Sequence, residues 1–454
     1  MSEQLSRSKS VRRRLGAAGT AAVLLLLAAT VPGVRARGAA DSLTTVHDAP
    51  CDVTVDASTD VIDGGRLPEV AEGGTICLLP GTRGNLKLRN LHGGPQRPVV
   101  VRNDGGVVII TGDEFEAGIT LSASTNIRIT GAGVTARCGA RYEPSRQACG
   151  IVIDRSERGV KVQTSRGEVR GLTIDHVAIL RNVAPRPTRG IAVHPVERQT
   201  IDGITIVHNY VSETGAEAIY IGSEPRDEPW EELGKVDRVE VAYNLVERIG
   251  WDGIKVKVAL SRSSVHHNIV RNVGTARRQA HRTGITVATS VVDVHHNVID
   301  GAVEGIKSGR GVADATNAFH DNLIANVDLF AISTTDDRAS IHNNTIVRWG
   351  IVGIRARGDG SRIIKNLIAH TRVPGRRCVL GETCAQDPIK HRSDAIVWAN
   401  LVVTRDASPF IDPETGRFSL VGSHPAWNVG ALARFDACAE GGIRVRCRTA
   451  ASQP

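Results

Sequence analysis

Two short segments in the middle of the chain combine cationic, phenolic and carboxylate side chains at alternating positions. A carboxylate stands three residues before Tyr220 in the first segment and three residues before Lys255 in the second. Removal of a proton from carbon beside a carboxylate needs a neutralising cation, a base and a proton donor. These residue types can supply all three. The candidate catalytic residues are therefore Lys255, Tyr220, Asp252, Glu217 and Lys257.

Polar and aromatic residues that follow or interrupt these segments are candidates for binding a substrate. The stretches 222–235 and 272–284 are longer than the repeat described below requires, and they carry aromatic, acidic and basic side chains. Basic loops favour a polyanion. The candidate binding residues are Lys307, Glu304, Trp230, Trp251, His281 and Arg282. An alternative is that the lysines are solvated surface groups paired with the carboxylates, and that the tryptophans cover the bases of the loops.

These residues are positioned by an internal repeat. One phrase consists of alternating apolar residues followed by Asn and another apolar residue, as in Ile204–Tyr210 and Val292–Val298. The gaps between successive Asn residues are 35, 24, 29, 25, 22, 22 and 34 residues. The aligned residues are Asn209, Asn244, Asn268, Asn297, Asn322, Asn344, Asn366 and Asn400.

A second phrase alternates with the first and consists of a small residue, Ile, any residue and an apolar residue, as in Gly253–Val256. Each period thus holds two short strands, and a period just above 20 residues is typical of a β-solenoid. The sequence predicts an all-β fold, a right-handed parallel β-helix with loop insertions and capped ends. The Asn residues should form a stacked ladder at one corner, where Asn tolerates a left-handed turn.

Strand alternation sorts the second phrase into inward and outward positions. With Ile219, Ile254, Ile285 and Ile306 inward, the residue that follows each Ile points out of the core. This outward column reads Ala192, Tyr220, Lys255, Thr286, Lys307, Ser333 and Arg355. Since coils repeat at about 4.8 Å, Tyr220 and Lys255 should be adjacent, and Lys307 should lie about 10 Å from Lys255.

Histidines also fall in columns. His266, His295, His320 and His342 share one position of successive repeats, and His208, His267 and His296 share the next. A linear stack of imidazoles does not converge on a tetrahedral or octahedral point. We interpret these columns as structural and predict no metal site.

The composition and the two ends indicate an exported chain. Arg12, Arg13 and Arg14 precede an apolar run from Leu15 to Val31, which Pro32 ends, as in a cleaved signal peptide rather than a membrane anchor. Residues 1–37 carry seven Lys/Arg and one acid, so the formal charge of +8 falls to about +2 after cleavage, which does not favour nucleic acid. The eight cysteines fit disulfides, and we pair neighbours: Cys51 with Cys77, Cys138 with Cys149, Cys378 with Cys384, Cys438 with Cys447.

The predicted organisation follows from these features. Residues 1–40 form a signal peptide and short leader, and 41–135 an N-terminal cap with the first coils. Residues 136–432 form further coils with inserted loops, and 433–454 a C-terminal tail pinned by a disulfide. We expect a monomer with no membrane association after cleavage.

Several segments resemble bacterial right-handed β-helix proteins of the polysaccharide lyase type. Residues 77–82 (CLLPGT) and 98–101 are similar to the opening coil of such proteins, and residues 409–426 resemble their closing segment. Trp251–Val256 is similar to a phrase of secreted members. The resemblance spans roughly residues 50–432, and it specifies the scaffold better than the activity.

The resemblance implies an acidic polysaccharide as substrate, but it has departures. The acidic motifs of polygalacturonase-type hydrolases are missing, and no complete pectate-lyase calcium cluster is present, so a role for Ca²⁺ stays open. Gly305–Gly309 resembles the lysine-bearing strand of alginate and chondroitin lyases, whereas Ala331–Ser333 stands where their arginine-bearing strand is expected.

The favoured hypothesis is an extracellular lyase or epimerase that abstracts the C5 proton of a uronate. Lys255 or Lys257 would neutralise the carboxylate, Tyr220 would act as base or acid, and His281 would assist. Lys255→Ala is then expected to abolish product formation and leave the fold intact. The alternatives are a non-catalytic glycan-binding or cell-wall-binding protein and a glycoside hydrolase, which needs two facing carboxylates.

Overall fold

The computed structural model describes residues 50–112, 115–132, 137–182, 188–224, 229–276, 278–309, 316–371, 387–403, 410–412 and 417–420, the last two ranges and 370–371 by backbone only. These residues belong to one compact unit, Thr45–Pro454. The predicted signal peptide, the C-terminal tail and Cys378, Cys384, Cys438 and Cys447 lie outside the described residues. Within them, no helix has the length and hydrophobicity needed to cross a membrane.

The described chain winds through three parallel faces, which we number in the order a coil crosses them. Face one is a 13-stranded parallel sheet in which each strand pairs with the equivalent strand of the next coil. Its strands are Val53–Val55, Thr75–Leu78, Val99–Asn103, Ser124–Thr130, Val169–Asp175, Thr200–Val207, Lys235–Ala242, Ser263–His266, Val292–His295, Ala318–His320, Ser340–His342, Arg362–Ile364 and Ile396–Trp398.

Faces two and three share two long strands, Val298–Gly309 and Leu323–Thr334, which bend from one face to the other. The other strands of face two are Gly81–Arg83, Val108–Thr111, Ile151–Asp154, Val177–Leu180, Tyr210–Ser212, Leu245–Ile249, Ile269–Val273, Thr345–Trp349, Leu367–Thr371 and Leu401–Val403. The other strands of face three are Val61–Asp63, Leu86–Arg89, Ala117–Ser122, Arg158–Gln163, Arg189–His194, Ile219–Ile221, Ile254–Lys257, Thr283–Ala288, Val352–Ala356 and Asp387–Lys390.

Few described elements lie outside this solenoid. Phe410–Asp412 and Arg417–Leu420 form an antiparallel pair. Three short 3₁₀ turns connect coils, at Gly64–Arg66, Pro68–Val70 and Pro144–Arg146. The predicted parallel β-helix is therefore confirmed. The inward-facing apolar residues of all three faces form one continuous core.

Each coil contains three strands rather than the two predicted. The first phrase forms face one and the second forms face three, as in Thr200–Val207 and Ile254–Lys257. The extra strand begins directly after the recurring Asn of each repeat, as at Tyr210–Ser212. In the sequence, the apolar residue after Asn looks like the end of the first phrase. In the structure the chain turns at Asn, and that apolar residue begins a new strand.

The predicted Asn ladder is confirmed from Asn209 to Asn400. At every step the amide Nδ2 and the backbone N–H of one Asn donate to Oδ1 of the next, at 2.9–3.1 Å. The left-handed conformation, however, belongs to the residue before each Asn, such as His208, Tyr243 and His267. The ladder thus provides hydrogen-bond partners for the buried polar groups at this corner. The residue before each Asn makes the turn itself.

Removing one ladder amide should be costly. Asn268 is fully buried, its Oδ1 accepts two hydrogen bonds from Asn244, and its Nδ2 donates to Val241 O at 2.8 Å. We expect Asn268→Ala to lower the free energy of unfolding by about 2–4 kcal/mol, because several buried groups lose their partners. Urea unfolding followed by circular dichroism measures it. Ser264→Ala, half-buried on the same coil, is the control and should change it by less than about 0.5 kcal/mol.

The two predicted disulfides within the described residues, Cys51–Cys77 and Cys138–Cys149, are formed. Cys138 and Cys149 are buried on the outer side of face two, together with Tyr210 and Leu245. A loop closed by that disulfide thus covers a second apolar cluster outside the main core.

The histidine columns are stacked rings at the end of face one. His266, His295, His320 and His342 lie in one column with centroids 4.7–5.0 Å apart, and His267 stacks on His296 at 4.9 Å. His320 contacts a carboxylate with each ring nitrogen, Asp293 at 2.9 Å and Asp321 at 2.7 Å. The structural interpretation of the columns therefore agrees with their contacts, since the imidazoles are engaged with each other and with carboxylates.

These columns predict loss of stability in acid. Burial lowers the pKa of His267 to about 3 and those of His208 and His295 to about 4. An unfolded histidine titrates near 6.5, so between about pH 6.5 and pH 4 the unfolded chain binds more protons and stability falls as pH falls. Burial alone would lower the pKa of His320, but Asp293 and Asp321 raise it to about 9, so its contribution is full below about pH 6.5 and is lost as pH rises from there through about 9.

Urea midpoints at about pH 5 and about pH 7.5 test this expectation, which amounts to on the order of 1 kcal/mol per pH unit for each buried neutral histidine. His267→Asn should reduce the difference between the two midpoints. Identical midpoints in the parent protein would contradict it.

Candidate functional site

The strand register of face three brings the predicted column together. Tyr220 pairs in register with Lys255, Lys255 with Thr286, and Thr286 with Lys307. Ala192, Ser333 and Arg355 continue the same column on either side. The predicted adjacency of Tyr220 and Lys255 and the two-coil separation of Lys307 are therefore confirmed.

The ammonium group of Lys255 lies at the centre of the site. Its Nζ is 3.2 Å from Glu217 Oε1, 3.2 Å from Asp252 Oδ2 and 3.2 Å from His281 Nδ1. Glu217 Oε1 accepts a hydrogen bond from this ammonium group, whereas Asp252 Oδ2 is paired with it by charge and has no hydrogen-bond partner among the described residues. Lys255 therefore connects three parts of the chain. Two of them are the segments just before the face-three strands of successive coils, which carry Glu217 and Asp252, and the third is the loop that carries His281.

Each carboxylate has a second partner. Arg189 Nε donates to Glu217 Oε2 at 2.8 Å, and the backbone N–H of Thr283 donates to Asp252 Oδ1 at 2.9 Å. Two cations, Arg189 and Lys255, thus face two carboxylates. The Lys255 side chain is 4% exposed and those of Glu217 and Asp252 are 0% and 1% exposed. We call Arg189, Glu217, Asp252 and Lys255 the buried charge cluster.

Burial and charge act in opposite directions within this cluster. Burial would raise the pKa of Glu217, but His281, Arg189 and Lys255 outweigh it and hold that pKa well below its ordinary range. Burial dominates at Asp252 and raises its pKa. Burial would lower the pKa of Lys255, but Asp252 and Glu217 outweigh it and raise that pKa. Lys255 is therefore a stable cation and not a proton acceptor at neutral pH.

Tyr220, Lys257 and Glu224 form a second group beside the cluster. The Tyr220 hydroxyl donates to Glu224 Oε1 at 2.9 Å, and Lys257 pairs with Glu224 Oε2. Burial, followed by the charge of Glu224, raises the pKa of Tyr220, and burial lowers the pKa of Lys257. Tyr220 is fully buried, so its phenol is a structural donor here, whereas the Lys257 side chain is 12% exposed.

Gly222 lets the loop that carries Glu224 leave the strand at this point. Its φ is +103°, and a Cβ at this position would lie 1.8 Å from Lys257 O. The Gly222 carbonyl also contacts His194 Nδ1 at 3.1 Å. Only glycine fits such a close backbone approach, which places Glu224 over Tyr220 and Lys257.

His281 is the member of the site that solvent reaches most easily after Glu224. Its ring is 23% exposed and packs on Trp251, with centroids 4.5 Å apart. Arg278 Cζ lies 4.1 Å from the Trp251 ring centroid on the same loop. Trp251 is 8% exposed, so it supports the loop base rather than presenting a face for a sugar.

The remaining predicted binding residues lie around this centre, with one exception. Lys307 is 39% exposed and pairs with Glu304 at 3.2 Å, and the Arg282 carbonyl accepts from the backbone N–H of Glu304 at 3.2 Å. Arg282 is half-buried on the loop that follows His281. Trp230 instead packs against Lys235, with Nζ 5.3 Å from the ring centroid. None of its contacts among the described residues involves the charge cluster.

One alternative holds only in part, and one prediction needs correction. Lys255, Lys257 and Lys307 each pair with a carboxylate, as that alternative states, but Lys255 is enclosed by its partners and not solvated. For the same reason Lys255→Ala would leave two buried carboxylates without their cation, so it should destabilise the fold rather than leave it intact.

The sequence interpretation missed Arg189 and Glu224. Arg189 stands two residues before Ile191, and Glu217 stands two residues before Ile219, so reading that column as well as the outward one would have found their pairing. Glu224 lies in the 222–235 insertion, and no repeat position marks it.

Two carboxylates and one imidazole lie close enough together to share a cation. Ligand atoms of Glu217, Asp252 and His281 are all within 4.8 Å of each other. The Lys255 ammonium occupies the space between them. The cluster therefore already contains the positive charge that a divalent ion would otherwise bring.

Comparisons with known proteins give similarity in fold at low sequence identity. No protein-family model and no curated protein sequence matches the chain. Among solved structures, an alginate lyase from Paenibacillus sp. is 13% identical, with a TM-score of 0.44, covering 71% of this chain and 99% of that one. The A-module of an Azotobacter vinelandii mannuronan C-5 epimerase is 12% identical, with a TM-score of 0.46 and coverage of 73% and 87%.

A lacto-N-biosidase from Eubacterium ramulus is also similar, at 13% identity and a TM-score of 0.47, covering 78% of this chain and 68% of that one. The chain is thus similar to polysaccharide lyases and C-5 epimerases and to a glycoside hydrolase. Its own parallel strand pairing establishes the fold.

Proposed function

We propose that this protein is a polysaccharide lyase or epimerase that acts at C5 of a uronate residue. The observation that carries the proposal is the position of His281. Its imidazole contacts Lys255 of a charge-balanced cluster, is 23% exposed and packs on Trp251, whose ring also contacts Arg278. A partly exposed proton-transfer group among cations fits a reaction that develops negative charge next to a carboxylate.

The Nδ1 atom of His281 faces the cluster, 3.2 Å from Lys255 Nζ and 3.7 Å from Glu217 Oε1. We therefore assign the proton-donor role to its other ring nitrogen, Nε2. His281 is therefore suited to donate a proton to the leaving oxygen. Lys257, whose pKa is lowered by burial, is suited to accept the C5 proton.

The proposed step balances as follows. The Lys257 ammonium first passes a proton to its partner Glu224, and the neutral amine then takes the C5 proton. The electron pair of the C5–H bond forms the C4–C5 double bond as the C4–O bond breaks. The leaving oxygen takes the His281 Nε2 proton. Lys307 and Arg282 neutralise the substrate carboxylate. In an epimerase the reaction would also begin with removal of the C5 proton, but it would end with return of a proton to the opposite face of C5.

Glycoside hydrolysis at this cluster is disfavoured. Hydrolases need two carboxyl groups about 5–5.5 Å or about 6.5–9.5 Å apart with the glycosidic bond between them. Oxygen atoms of Glu217 and Asp252 lie within 4.8 Å, and Lys255 fills the space between them. A sugar cannot enter there.

Export and the nature of the partner belong to the same proposal. The two disulfides are of the kind that persists in an oxidising compartment, which supports a secreted protein. An acidic polysaccharide outside the cell would be the substrate, and the protein would act as a monomer.

The test incubates protein lacking residues 1–40 with alginate, pectate and chondroitin, with and without calcium. Elimination gives a conjugated unsaturated uronate, so ultraviolet absorbance rises. An epimerase gives no rise but incorporates deuterium at C5 from heavy water. New reducing ends without unsaturation would indicate hydrolysis, and binding with no chemical change would indicate a glycan-binding protein; either result would overturn the proposal.

A further inference from the structure

A cavity of about 300 Å³ lies on face three, away from the buried charge cluster. Its lining includes Lys87, Lys161, Gln163, Arg166 and Phe115. Strand register places Lys87, Thr120, Lys161 and Ala192 in one column. Since this column continues to Tyr220 and Lys255, Lys161 and Lys255 are three coils apart on the same face, about 14 Å.

The acidic side chains around this cavity are already paired with other cations. Glu116 contacts Lys87 at 3.6 Å, Asp63 contacts Arg89 at 2.9 Å, and Glu157 contacts Arg158 at 2.9 Å. Lys161 and Arg166 remain. In the part of the chain that the structure describes, neither has a hydrogen bond or an ion pair.

Lys161 is held in a position that a cation would not choose without a partner. It is half-buried, and Arg158 and Arg166 are close enough to repel it, while Glu157, which is itself paired with Arg158, is close enough to attract it. Like charges gathered in a partly enclosed space favour an anion that can contact them together. Phe115, 59% exposed, adds an apolar surface to the lining.

We propose that this cavity is a second subsite, which binds a negatively charged sugar residue of the polymer that reacts at His281. Lys161 and Arg166 would contact its carboxylate or sulfate group, and Phe115 would contact the ring. This inference rests on the proposed function, because it assigns both positions to one chain. A pyranose unit is about as long as one coil is thick, so only oligomers of several units can occupy both positions.

The test compares the parent protein with Lys161→Gln/Arg166→Gln, which keeps unbranched polar side chains and removes both charges. For a long uronate polymer we expect KM to rise about 10–100-fold with little change in kcat, as for loss of charge-assisted contacts made equally in ground and transition states. KM for the shortest oligomer that reacts should not change. Arg170→Gln, an exposed arginine of face one paired with Glu168, is the matched control.

Direct binding separates this inference from the proposed reaction. Fluorescently labelled oligouronate, a sulfated oligosaccharide and neutral dextran are titrated into the parent and the double variant. Weaker binding of either anionic probe by the variant supports the subsite even if no reaction is ever detected, and the stronger of the two identifies the anion. The subsite proposal is overturned if the parent and the double variant bind the anionic probes with equal affinity. It is also overturned if neutral dextran binds as tightly as the anionic probes.

Discussion

Lys255→Met is expected to lower the free energy of unfolding by about 3–5 kcal/mol, because it leaves a buried carboxylate pair without one of its two cations. Glu217 and Asp252 are 0% and 1% exposed, and without Lys255 they keep Arg189, the Thr283 N–H and the imidazole of His281 as partners. Urea unfolding at neutral pH measures the loss. A loss below about 1 kcal/mol would show that the cluster does not hold the charges assigned here.

Two comparisons sharpen this result. Lys307→Met removes a 39% exposed lysine paired with Glu304 on the same face, and it should cost no more than about 1 kcal/mol. The deficit of Lys255→Met should also narrow as pH falls towards about 5. The pKa of Asp252 is already raised by burial and would rise further without Lys255, so the folded variant takes up a proton that the unfolded chain does not bind.

His281→Gln is expected to reduce kcat by about 10²–10⁴-fold with the fold intact, since a positioned proton donor contributes that much. The glutamine amide can still accept from Lys255, so the buried charge cluster keeps its hydrogen bond. KM should change little, because the cations that bind substrate remain. Steady-state rates on whichever uronate polymer reacts give the comparison.

The control for this variant is His92→Gln, an exposed histidine of the first coils that contacts Thr125. It should leave kcat unchanged. Full activity in His281→Gln would remove His281 from the proton-donor role and leave Lys257 and Glu224 as the proton-transfer groups to examine.

Much of the fold follows from periodicity because stacked coils impose the same constraint on every repeat. Asn209 and Asn366 are far apart along the chain, yet each must pair its amide with the next coil, so the sequence keeps one residue type at that position. The register of the strands follows in turn, and the repeat alone predicts that Tyr220 lies beside Lys255, as the strand pairing confirms.

Burial of the site could not be read from the same pattern. Alternation places Lys255 outside the core, but the loops that carry Glu224 and His281 then cover that outer surface. Loop conformation depends on local contacts such as the close approach of Gly222 to Lys257, which the two recurring phrases do not specify. The sequence therefore predicted which candidate residues lie together, but it did not predict which of them are accessible to solvent and which are enclosed.

The ladder has a consequence for how this molecule can change in evolution. Asn322, Asn344 and Asn366 are each separated by 22 residues and make the same contacts to the coil on either side. Duplication or deletion of one such unit joins identical surfaces and keeps the corner geometry. The length of face three, and with it the number of sugar units the protein can span, can therefore vary in whole-coil steps of about 4.8 Å without redesign of the core.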